Sequence, residues 1–477
     1  MGWKKISASI VIILMISISL EVGVSSSIGL QDDADLQDEE SNDLADSAWP
    51  KYRGNKRNTG RSPYDASHVD GGIEWEHRGL GYHIMSEPVI LSNGTILIED
   101  GYFSTFRPAR LIALNQNGTE EWNFTKANSM ITTTPAVSSD GTIYSSIVED
   151  EHDKEDGERI GHLYALYPNG TKKWSYTLNH PIWSSPAIGD DGTIYFSCDE
   201  ELYAIHPNGT ERWNITLGGD IYTNPAIDDD GNLYVGTSGK GELYLIDPNG
   251  TKEKIYQTEK GGLGTPALTE DGTIYVGSTE GSLFAFESDG TMKWEYRKEE
   301  TEPTSGLSSL AIGDEGTIYF SSHHLYAINP DGSEKWVYNF TDARVGTNPP
   351  IIGGDGTIYV GGFGEDLYAI SPDGEKEWDL TLDYPFGWYF SGSIDENGTL
   401  YITGRSRLYA LGEREKPNFT EILTAFLADN WCFISLFAII GIPITYKIIK
   451  SRKSSSNPPQ EDPFEDVSSE EFKEEKD

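Results

Sequence analysis

The sequence predicts an all-β fold, an eight-bladed β-propeller built from four-stranded antiparallel blades. A short phrase, Gly-Thr-Ile-Tyr or a near copy, recurs eight times at intervals of 39 to 51 residues. Its β-branched and aromatic residues suit a pleated, half-buried strand. A strand-rich repeat of about 40 residues is typical of a propeller blade. The phrase begins at Gly94, Gly141, Gly192, Gly231, Gly272, Gly316, Gly356 and Gly398.

One repeat, residues 184–215, shows how the sequence encodes four strands. An apolar run at 184–188 is followed by a Gly-Asp-Asp-Gly turn and by the phrase itself. A third strand, 202–205, then leads into Asn208-Gly209, a pair that favours a tight hairpin turn. The repeat ends with a strand that contains a tryptophan, so three turns join four strands.

A tryptophan recurs at one position of the fourth strand, where we expect it to pack between neighbouring blades. One repeat has Ile255 there instead. The last repeat ends at Leu411 without this strand, whereas Trp75 precedes the first complete repeat. We therefore predict that the N-terminal strand around Trp75 completes the last blade and closes the ring, which removes exposed sheet edges. The predicted blade tryptophans are Trp75, Trp122, Trp174, Trp213, Trp294, Trp336 and Trp378.

A family resemblance rests on two motifs. The run Trp49-Pro-Lys-Tyr-Arg-Gly-Asn, followed by Asn58-Thr-Gly, resembles the lead-in of pyrroloquinoline-quinone-like (PQQ-like) propeller proteins. The Leu-Tyr-Ala-Leu, Asp-Gly and Trp pattern is similar to that superfamily's blade motif. The resemblance covers about residues 49 to 412 and implies the propeller fold. The superfamily includes quinone-dependent dehydrogenases, an outer-membrane assembly lipoprotein, and surface or sensor domains without catalytic activity, so the resemblance leaves the activity open.

The dehydrogenase alternative can be compared with the sequence. The resemblance implies a vicinal disulfide stacked on the quinone, a Ca²⁺ held by acidic and amide side chains, and an aspartate base. The chain has only two cysteines, Cys198 and Cys432, and they are not adjacent. The blade turn from Ala113 to Trp122 is also one residue shorter than in those enzymes. We therefore predict no catalytic, cofactor-binding or metal-binding residues, with PQQ and Ca²⁺ expected only if the enzyme alternative holds.

The regions outside the repeats predict a membrane protein. Residues 1–24 have the layout of a signal peptide with an uncertain cleavage site, and residues 25–48 form an acidic spacer that we expect to be disordered. A juxtamembrane linker, 413–430, precedes an apolar run at 431–449 that suits a transmembrane helix. Basic residues follow that run, so the acidic tail, 450–477, is predicted to be cytoplasmic and the propeller extracellular.

Charge and sequons limit the partners. The formal net charge of −41 argues against nucleic acid and keeps a surface protein soluble. Ten Asn-x-Ser/Thr sequons are present, and six of them are Asn-Gly-Thr turns whose asparagine is explained by turn geometry. The other four are candidates for N-glycosylation: Asn123, Asn214, Asn339 and Asn418.

Propeller topology indicates where a ligand would bind. Loops that enter each innermost strand share one face of the ring with loops that join the second and third strands. These loops contain aromatic and basic side chains among polar groups, which suits recognition of a protein or glycan. The candidate ligand-face residues are Trp183, Tyr222, Arg344, Trp388, Tyr389, His323 and His324.

The function expected from these features is a single-pass cell-surface protein whose propeller serves as a binding or scaffolding platform. Its partner is expected to be an extracellular protein or a glycan. The alternative from another class is a PQQ-dependent dehydrogenase. A further alternative is an extracellular sensor that signals through the cytoplasmic tail, although the tail contains no recognisable output domain.

Overall fold

A computed structural model describes residues 43–413, apart from 79, 81–85, 102–107, 132, 151–158, 260, 298–308, 341–347, 363–365, 383–389 and 405. Within these residues the chain forms eight antiparallel sheets, which confirms the predicted eight-bladed propeller. The described residues contain no helix that is long and apolar enough to cross a membrane. The predicted signal peptide, membrane span and tail lie outside the described residues.

Each blade has four strand positions, counted outward from the central axis. The innermost strands are β2 (Val89–Ile90), β7 (Ala136–Val137), β11 (Ala187–Ile188), β15 (Ala226–Ile227), β19 (Ala267–Leu268), β23 (Ala311–Ile312), β27 (Ile351–Ile352) and β31 (Ser391–Ile394). The second strands, which contain the repeated phrase, are β3 (Ile96–Asp100), β8 (Ile143–Asp150), β12 (Ile194–Cys198), β16 (Leu233–Gly236), β20 (Ile274–Gly277), β24 (Ile318–Ser322), β28 (Ile358–Gly361) and β32 (Leu400–Gly404).

The outer half of each blade consists of the Leu-Tyr-Ala strand and the tryptophan strand. The third strands are β4 (Ala109–Leu114), β9 (Arg159–Leu166), β13 (Glu201–Ile205), β17 (Glu242–Ile246), β21 (Ser282–Phe286), β25 (His324–Ile328), β29 (Asp366–Ile370) and β33 (Arg407–Gly412). The outermost strands are β5 (Glu120–Lys126), β10 (Lys172–Leu178), β14 (Glu211–Thr216), β18 (Lys252–Gln257), β22 (Met292–Arg297), β26 (Glu334–Tyr338), β30 (Lys376–Thr381) and β1 (Gly72–Arg78).

The N-terminal strand closes the ring, as the orphan Trp75 predicts. Strand β1 pairs antiparallel with β33, and Gly72 lies opposite Gly412 while Arg78 lies opposite Arg407. Blade 2 differs from the others because a short extra strand, β6 (Ser129–Met130), also pairs with β8. Closure leaves each blade covered by a neighbour on both sides. This packing can stabilise the ring without a disulfide.

The repeated tyrosine and tryptophan pack together within a blade. In six blades the tyrosine of the second strand lies 5.8 to 5.9 Å, between ring centroids, from the tryptophan of the outermost strand. The described side chains of the second strands are buried, except for the half-buried Glu149 near the end of β8, whereas the outermost strands mix exposed and half-buried residues. This pattern points one face of each outermost strand toward the next blade.

Six of the seven tryptophans also contact the hairpin turn of the next blade. The indole of Trp174 donates a hydrogen bond to the Pro207 carbonyl at 2.8 Å, and Trp213, Trp294 and Trp336 repeat this contact in later blades. The next turn glycine, Gly209, has a φ of +85°, and a Cβ there would lie 2.8 Å from the Trp174 ring. The Asn-Gly and Asp-Gly turns are therefore constrained twice, by backbone conformation and by contact with the ring.

The direction of the strands defines two faces. The innermost strands end on one side of the ring, which we call the plug face. The turns that lead from them into the second strands lie on the same side. Loops entering the innermost strands, together with those joining second and third strands, lie on the opposite side, which we call the loop face. The hairpin turns between third and outermost strands lie on the plug face, so most of the tight, glycine-containing turns are on that side.

The lead-in segment, residues 49–61, lies across the plug face, and we call it the plug. Its carbonyl groups accept hydrogen bonds from the last residue of six innermost strands, Ile90, Val137, Ile227, Leu268, Ile312 and Ile352, at 2.8 to 3.1 Å. Upstream packing extends beyond the expected start at Trp49, because the Ala45 amide donates to the Val137 carbonyl at 2.9 Å. One aperiodic segment thus ties most of the ring together.

Three charged side chains of this region are buried. Arg53 forms an ion pair with Glu87 at 3.5 Å and donates to the carbonyls of Leu310 and Pro350 at 2.8 and 2.6 Å. Lys51 donates to the Asn58 amide oxygen at 2.6 Å and to two carbonyls within the plug. Burial lowers the pKa of Lys51 to about 7, although Glu87 acts in the opposite direction. Charges buried in this way need partners to be tolerated.

A polar belt links the blades above the plug. The residue three positions before the end of the innermost strand accepts a hydrogen bond from the backbone of the preceding blade. The Glu87 amide donates to Thr134 at 3.0 Å, the Thr134 amide to Ser185 at 2.9 Å, and the Ser185 amide to Asn224 at 2.5 Å. Asn224 continues the chain by donating to Thr265 at 3.2 Å. Each step satisfies a buried backbone donor with a side chain of the next blade.

A buried carboxyl lies at the loop-face end of blade 1. Glu99 is 2% exposed and accepts hydrogen bonds from the hydroxyls of Ser145 and Thr133 at 2.5 and 3.0 Å. Burial raises the pKa of Glu99 to about 8, and these two hydrogen bonds only partly oppose the shift. The carboxyl is therefore held largely in its neutral form at pH 7.

Candidate binding site on the loop face

Tyr222 is the most exposed large hydrophobic residue on the described part of the loop face. It lies on the loop 217–225, which connects blades 3 and 4, and its side chain is 54% exposed. Its neighbours Ile221 and Thr223 are buried. The side chains on either side of Tyr222 therefore point into the protein, while the Tyr222 ring points outward.

Hydrogen bonds hold this loop against the blades. The Ile221 amide donates to the Asp199 carbonyl at 2.8 Å, and the Ile221 carbonyl accepts from the Ser197 hydroxyl at 2.8 Å. The Thr223 hydroxyl donates to the Gly236 carbonyl at 2.7 Å. Because the backbone on both sides of Tyr222 is fixed, the ring is presented without a large ordering cost on binding.

Two carboxylates accompany the ring. Asp199, in the turn between β12 and β13, has a φ of +54° and accepts a contact from His180 Nδ1 at 2.9 Å. Asp220 is exposed, and within the described residues its carboxylate makes no hydrogen bond or ion pair. Desolvation raises the pKa of Tyr222, and the negative charges of Asp220 and Asp199 raise it further.

Four of the seven predicted ligand-face residues are described, and they form two groups. Trp183 is half-buried and lies in the loop entering blade 3, beside Ile182, which bridges to Cys198. His323 and His324 lie in the turn of blade 6, two blades away from Tyr222, and His323 has a φ of +61°. The other three, Arg344, Trp388 and Tyr389, lie outside the described residues.

We define the loop patch as His180, Trp183, Asp199, Asp220 and Tyr222. Topology alone identified the aromatic members, because it places their loops on one face. It missed His180 and Asp220, for which the sequence gives a weak signal: both are polar residues next to a loop aromatic. The roles of Lys51, Arg53 and Glu87 were also missed, since the plug belongs to no repeat.

The predicted glycosylation sites are placed on the outer rim. Asn123 lies on β5, Asn214 on β14, and Asn339 directly after β26, and all three are exposed. The Asn123 and Asn214 amides donate to Glu120 and Glu211 at 2.6 and 3.0 Å. Asn418 lies outside the described residues.

The family follows from comparison with known proteins. A family model described as outer membrane protein assembly factor BamB matches residues 64–224 and 198–416. The matches cover well over half of the chain, so the chain belongs to this family of PQQ-like β-propellers. A curated relative, the uncharacterized protein YxaL of Bacillus subtilis, is 39% identical over 74 residues, which is 15% of this chain and 17% of that protein.

Solved structures share the fold. BamB from Moraxella catarrhalis has a TM-score of 0.54 at 15% identity, covering 72% of this chain and 99% of its own. A europium-containing methanol dehydrogenase has a TM-score of 0.56 at 12% identity, covering 75% of this chain and 89% of its own. At such low identity the likeness establishes architecture alone, so it favours neither a binding protein nor a dehydrogenase.

The quinone site that the dehydrogenase resemblance implies includes a vicinal disulfide. The sequence has no adjacent cysteine pair to stack on a quinone. Cys198 is buried, and its thiol lies 3.3 Å from the His180 carbonyl. Burial raises the pKa of this thiol to about 12, so it is held as an unreactive thiol rather than as a thiolate.

Proposed function

We propose that this protein is a membrane-anchored propeller that presents its loop face outside the cell as a binding platform. The observation that carries the proposal is the position of the two chain exits. Asp43 accepts a hydrogen bond from Ser139, in a plug-face turn of blade 2, and Gly412 ends β33 on the same face. A tether attached beyond Gly412 would therefore start from the plug face and leave the loop face free of both exits.

Family membership supports a protein partner. The description of the matching family names an outer membrane protein assembly factor, and an assembly factor acts on other proteins. The loop patch adds a fixed, exposed aromatic residue beside carboxylates, a combination found in protein recognition sites. A glycan partner is the other outcome of the same proposal, since exposed aromatic rings also contact sugars.

The platform and dehydrogenase functions are separated by a thermal melt of the full-length protein with and without pyrroloquinoline quinone plus Ca²⁺. A ligand bound only by the folded state adds about 2.7 kcal/mol at a hundredfold excess over its dissociation constant. We expect no change in melting temperature and no reduction of a dye with alcohols or sugars. A clear rise in melting temperature together with dye reduction would establish an enzyme instead.

A further inference from the structure

Two exposed tyrosines on opposite faces have different surroundings. Tyr167, 47% exposed, lies in a plug-face turn, and the Lys173 ammonium lies 5.7 Å from its ring centroid. Tyr222 is 54% exposed, and no ring or cation of the described residues lies over it. The plug-face ring thus has a cation from its own chain, whereas no cation of the described residues lies over the loop-face ring.

The charges beside the two rings differ as well. Asp220 precedes Tyr222 by two residues, and Asp199 is joined to the same loop because its carbonyl accepts a hydrogen bond from the Ile221 amide at 2.8 Å. The only described cationic partner of these two carboxylates is His180, which carries a charge only when protonated. Within the described residues, the loop patch therefore combines an open aromatic face with two carboxylates whose only ion pair is the one between Asp199 and His180.

We propose that the loop patch binds an arginine side chain of a partner protein, with its guanidinium stacked on the Tyr222 ring and its N–H groups directed to Asp199 and Asp220. A guanidinium is planar, stacks on aromatic faces, and donates in its plane to carboxylates. An ammonium group cannot make both contacts with the same geometry. The inference rests on the proposed platform function and names the chemistry of its partner.

The fixed loop makes this site suitable for recognition. Ile221 is tied to Asp199 through the backbone hydrogen bond, so the ring and the first carboxylate keep their spacing. Thr223 fixes the other side of the loop. Because the loop is already ordered, binding does not lose affinity to the entropy cost of ordering it.

Peptide binding to the full-length protein tests the inference. A fluorescent Gly-Arg repeat peptide is titrated and followed by anisotropy, with Gly-Lys and Gly-Glu repeat peptides for comparison. We expect the arginine peptide to bind more tightly than the lysine peptide. Replacing Tyr222→Ala is expected to weaken arginine-peptide binding about 2- to 30-fold, the range of a cation–π contact, whereas Tyr222→Phe retains binding because the ring remains.

Matched variants separate the patch from the general acidity of the protein. Asp199→Asn with Asp220→Asn removes two charges at the patch, and Asn tolerates the positive φ of position 199. The control, Glu253→Gln with Glu375→Gln, removes two exposed charges elsewhere. Tyr167→Ala is the aromatic control. We expect weaker binding for the patch double variant and wild-type binding for both controls.

Several results would overturn the arginine assignment: equal affinity for arginine and lysine peptides, equal loss in the two double variants, or unchanged binding in Tyr222→Ala. Binding of a neutral oligosaccharide that depends on Tyr222 would also overturn it and identify a glycan site. These failures remain distinct from failure of the platform function, which the quinone melt decides separately.

Discussion

The plug face and the loop face are built from the same repeats, yet they differ in how their polar groups are used. On the plug face, the half-buried cations of the plug are paired within the chain: Lys56 with Asp190 at 2.8 Å, Arg57 with Asp229 at 2.5 Å, and Arg61 with Asp314. On the loop face, Tyr222 and Asp220 are exposed, and within the described residues Asp220 has no ion pair, although other loop-face pairs such as Arg110 with Asp100 exist. The plug is thus bonded internally through all three of these cations, whereas the loop patch keeps an exposed ring and a carboxylate for recognition.

The largest expected effect concerns the buried pair of the plug. Replacing Arg53→Ala removes the ion-pair partner of the buried Glu87 carboxylate, which we expect to lower the free energy of unfolding by about 3–5 kcal/mol. Lys56→Ala, which breaks an exposed pair on the same segment, is expected to cost about 0–1 kcal/mol. Chemical denaturation measures both. Equal losses would mean that the buried pair stabilises the ring no more than an exposed ion pair does.

A pH effect is expected from Glu99. Its folded-state pKa of about 8 lies above its ordinary value of 4.5, so its contribution is fully present below pH 4.5 and is lost as pH rises through 8. A tenfold change in an acid dissociation constant corresponds to about 1.4 kcal/mol, so the loss amounts to a few kcal/mol.

Glu99→Gln isolates this effect, because an amide keeps a neutral group at the same position. The variant should match the wild type near pH 5 and be more stable than the wild type at pH 8 and above. Unfolding free energies measured across this range decide the point. Parallel profiles for the two proteins would show that Glu99 is already ionised in the folded state.

The contact between turn glycine and tryptophan can be separated from the conformation of the turn. Gly209→Ala and Gly272→Ala both place a side chain at a φ above +80°, but only the first brings the new Cβ within 3 Å of a ring, that of Trp174. At Gly272 the nearest atom lies 3.6 Å away. We expect Gly209→Ala to be less stable by about a further 1–3 kcal/mol, the usual cost of overpacking. Similar melting curves would assign the glycine to turn geometry alone.

The smallest effect is expected on the loop face. Tyr222→Ala should change the free energy of unfolding by less than about 0.5 kcal/mol, because the exposed ring contributes little burial. Chemical denaturation of Tyr222→Ala is measured alongside Arg53→Ala, and the larger loss expected for Arg53→Ala serves as the reference. A loss of several kcal/mol would contradict the division between the two faces, since it would make Tyr222 a structural residue.

The repeats allowed the blades and their closure to be predicted, because period, turn chemistry and the missing last strand are all local features. Trp75 is the clearest case. Because it lies before the first repeat and the last repeat lacks a tryptophan strand, the strand around Trp75 was expected to pair with the strand after Gly404. The plug could not be predicted in this way. Lys51 and Arg53 look like exposed residues in sequence, and only the assembled ring supplies the carbonyls and Glu87 that surround them.

The candidate site was predicted only in part, for a related reason. Topology placed Trp183 and Tyr222 on one face, since loop connections follow from strand order. The role of Asp199 depends on its turn conformation and on the hydrogen bond from Ile221, neither of which a pattern of residue types encodes. The neutral state of Glu99 likewise follows from burial between two blades.

The orientation of the two faces is tested most directly in lipid nanodiscs. A fluorophore is attached at Tyr167→Cys on the plug face or at Tyr222→Cys on the loop face, in a Cys432→Ser background where the buried Cys198 is protected. Quenching by acceptor-labelled lipid headgroups reports distance from the membrane. The platform account predicts stronger quenching at position 167 than at position 222. Equal or reversed quenching, or a chain that does not insert into the bilayer, would contradict it.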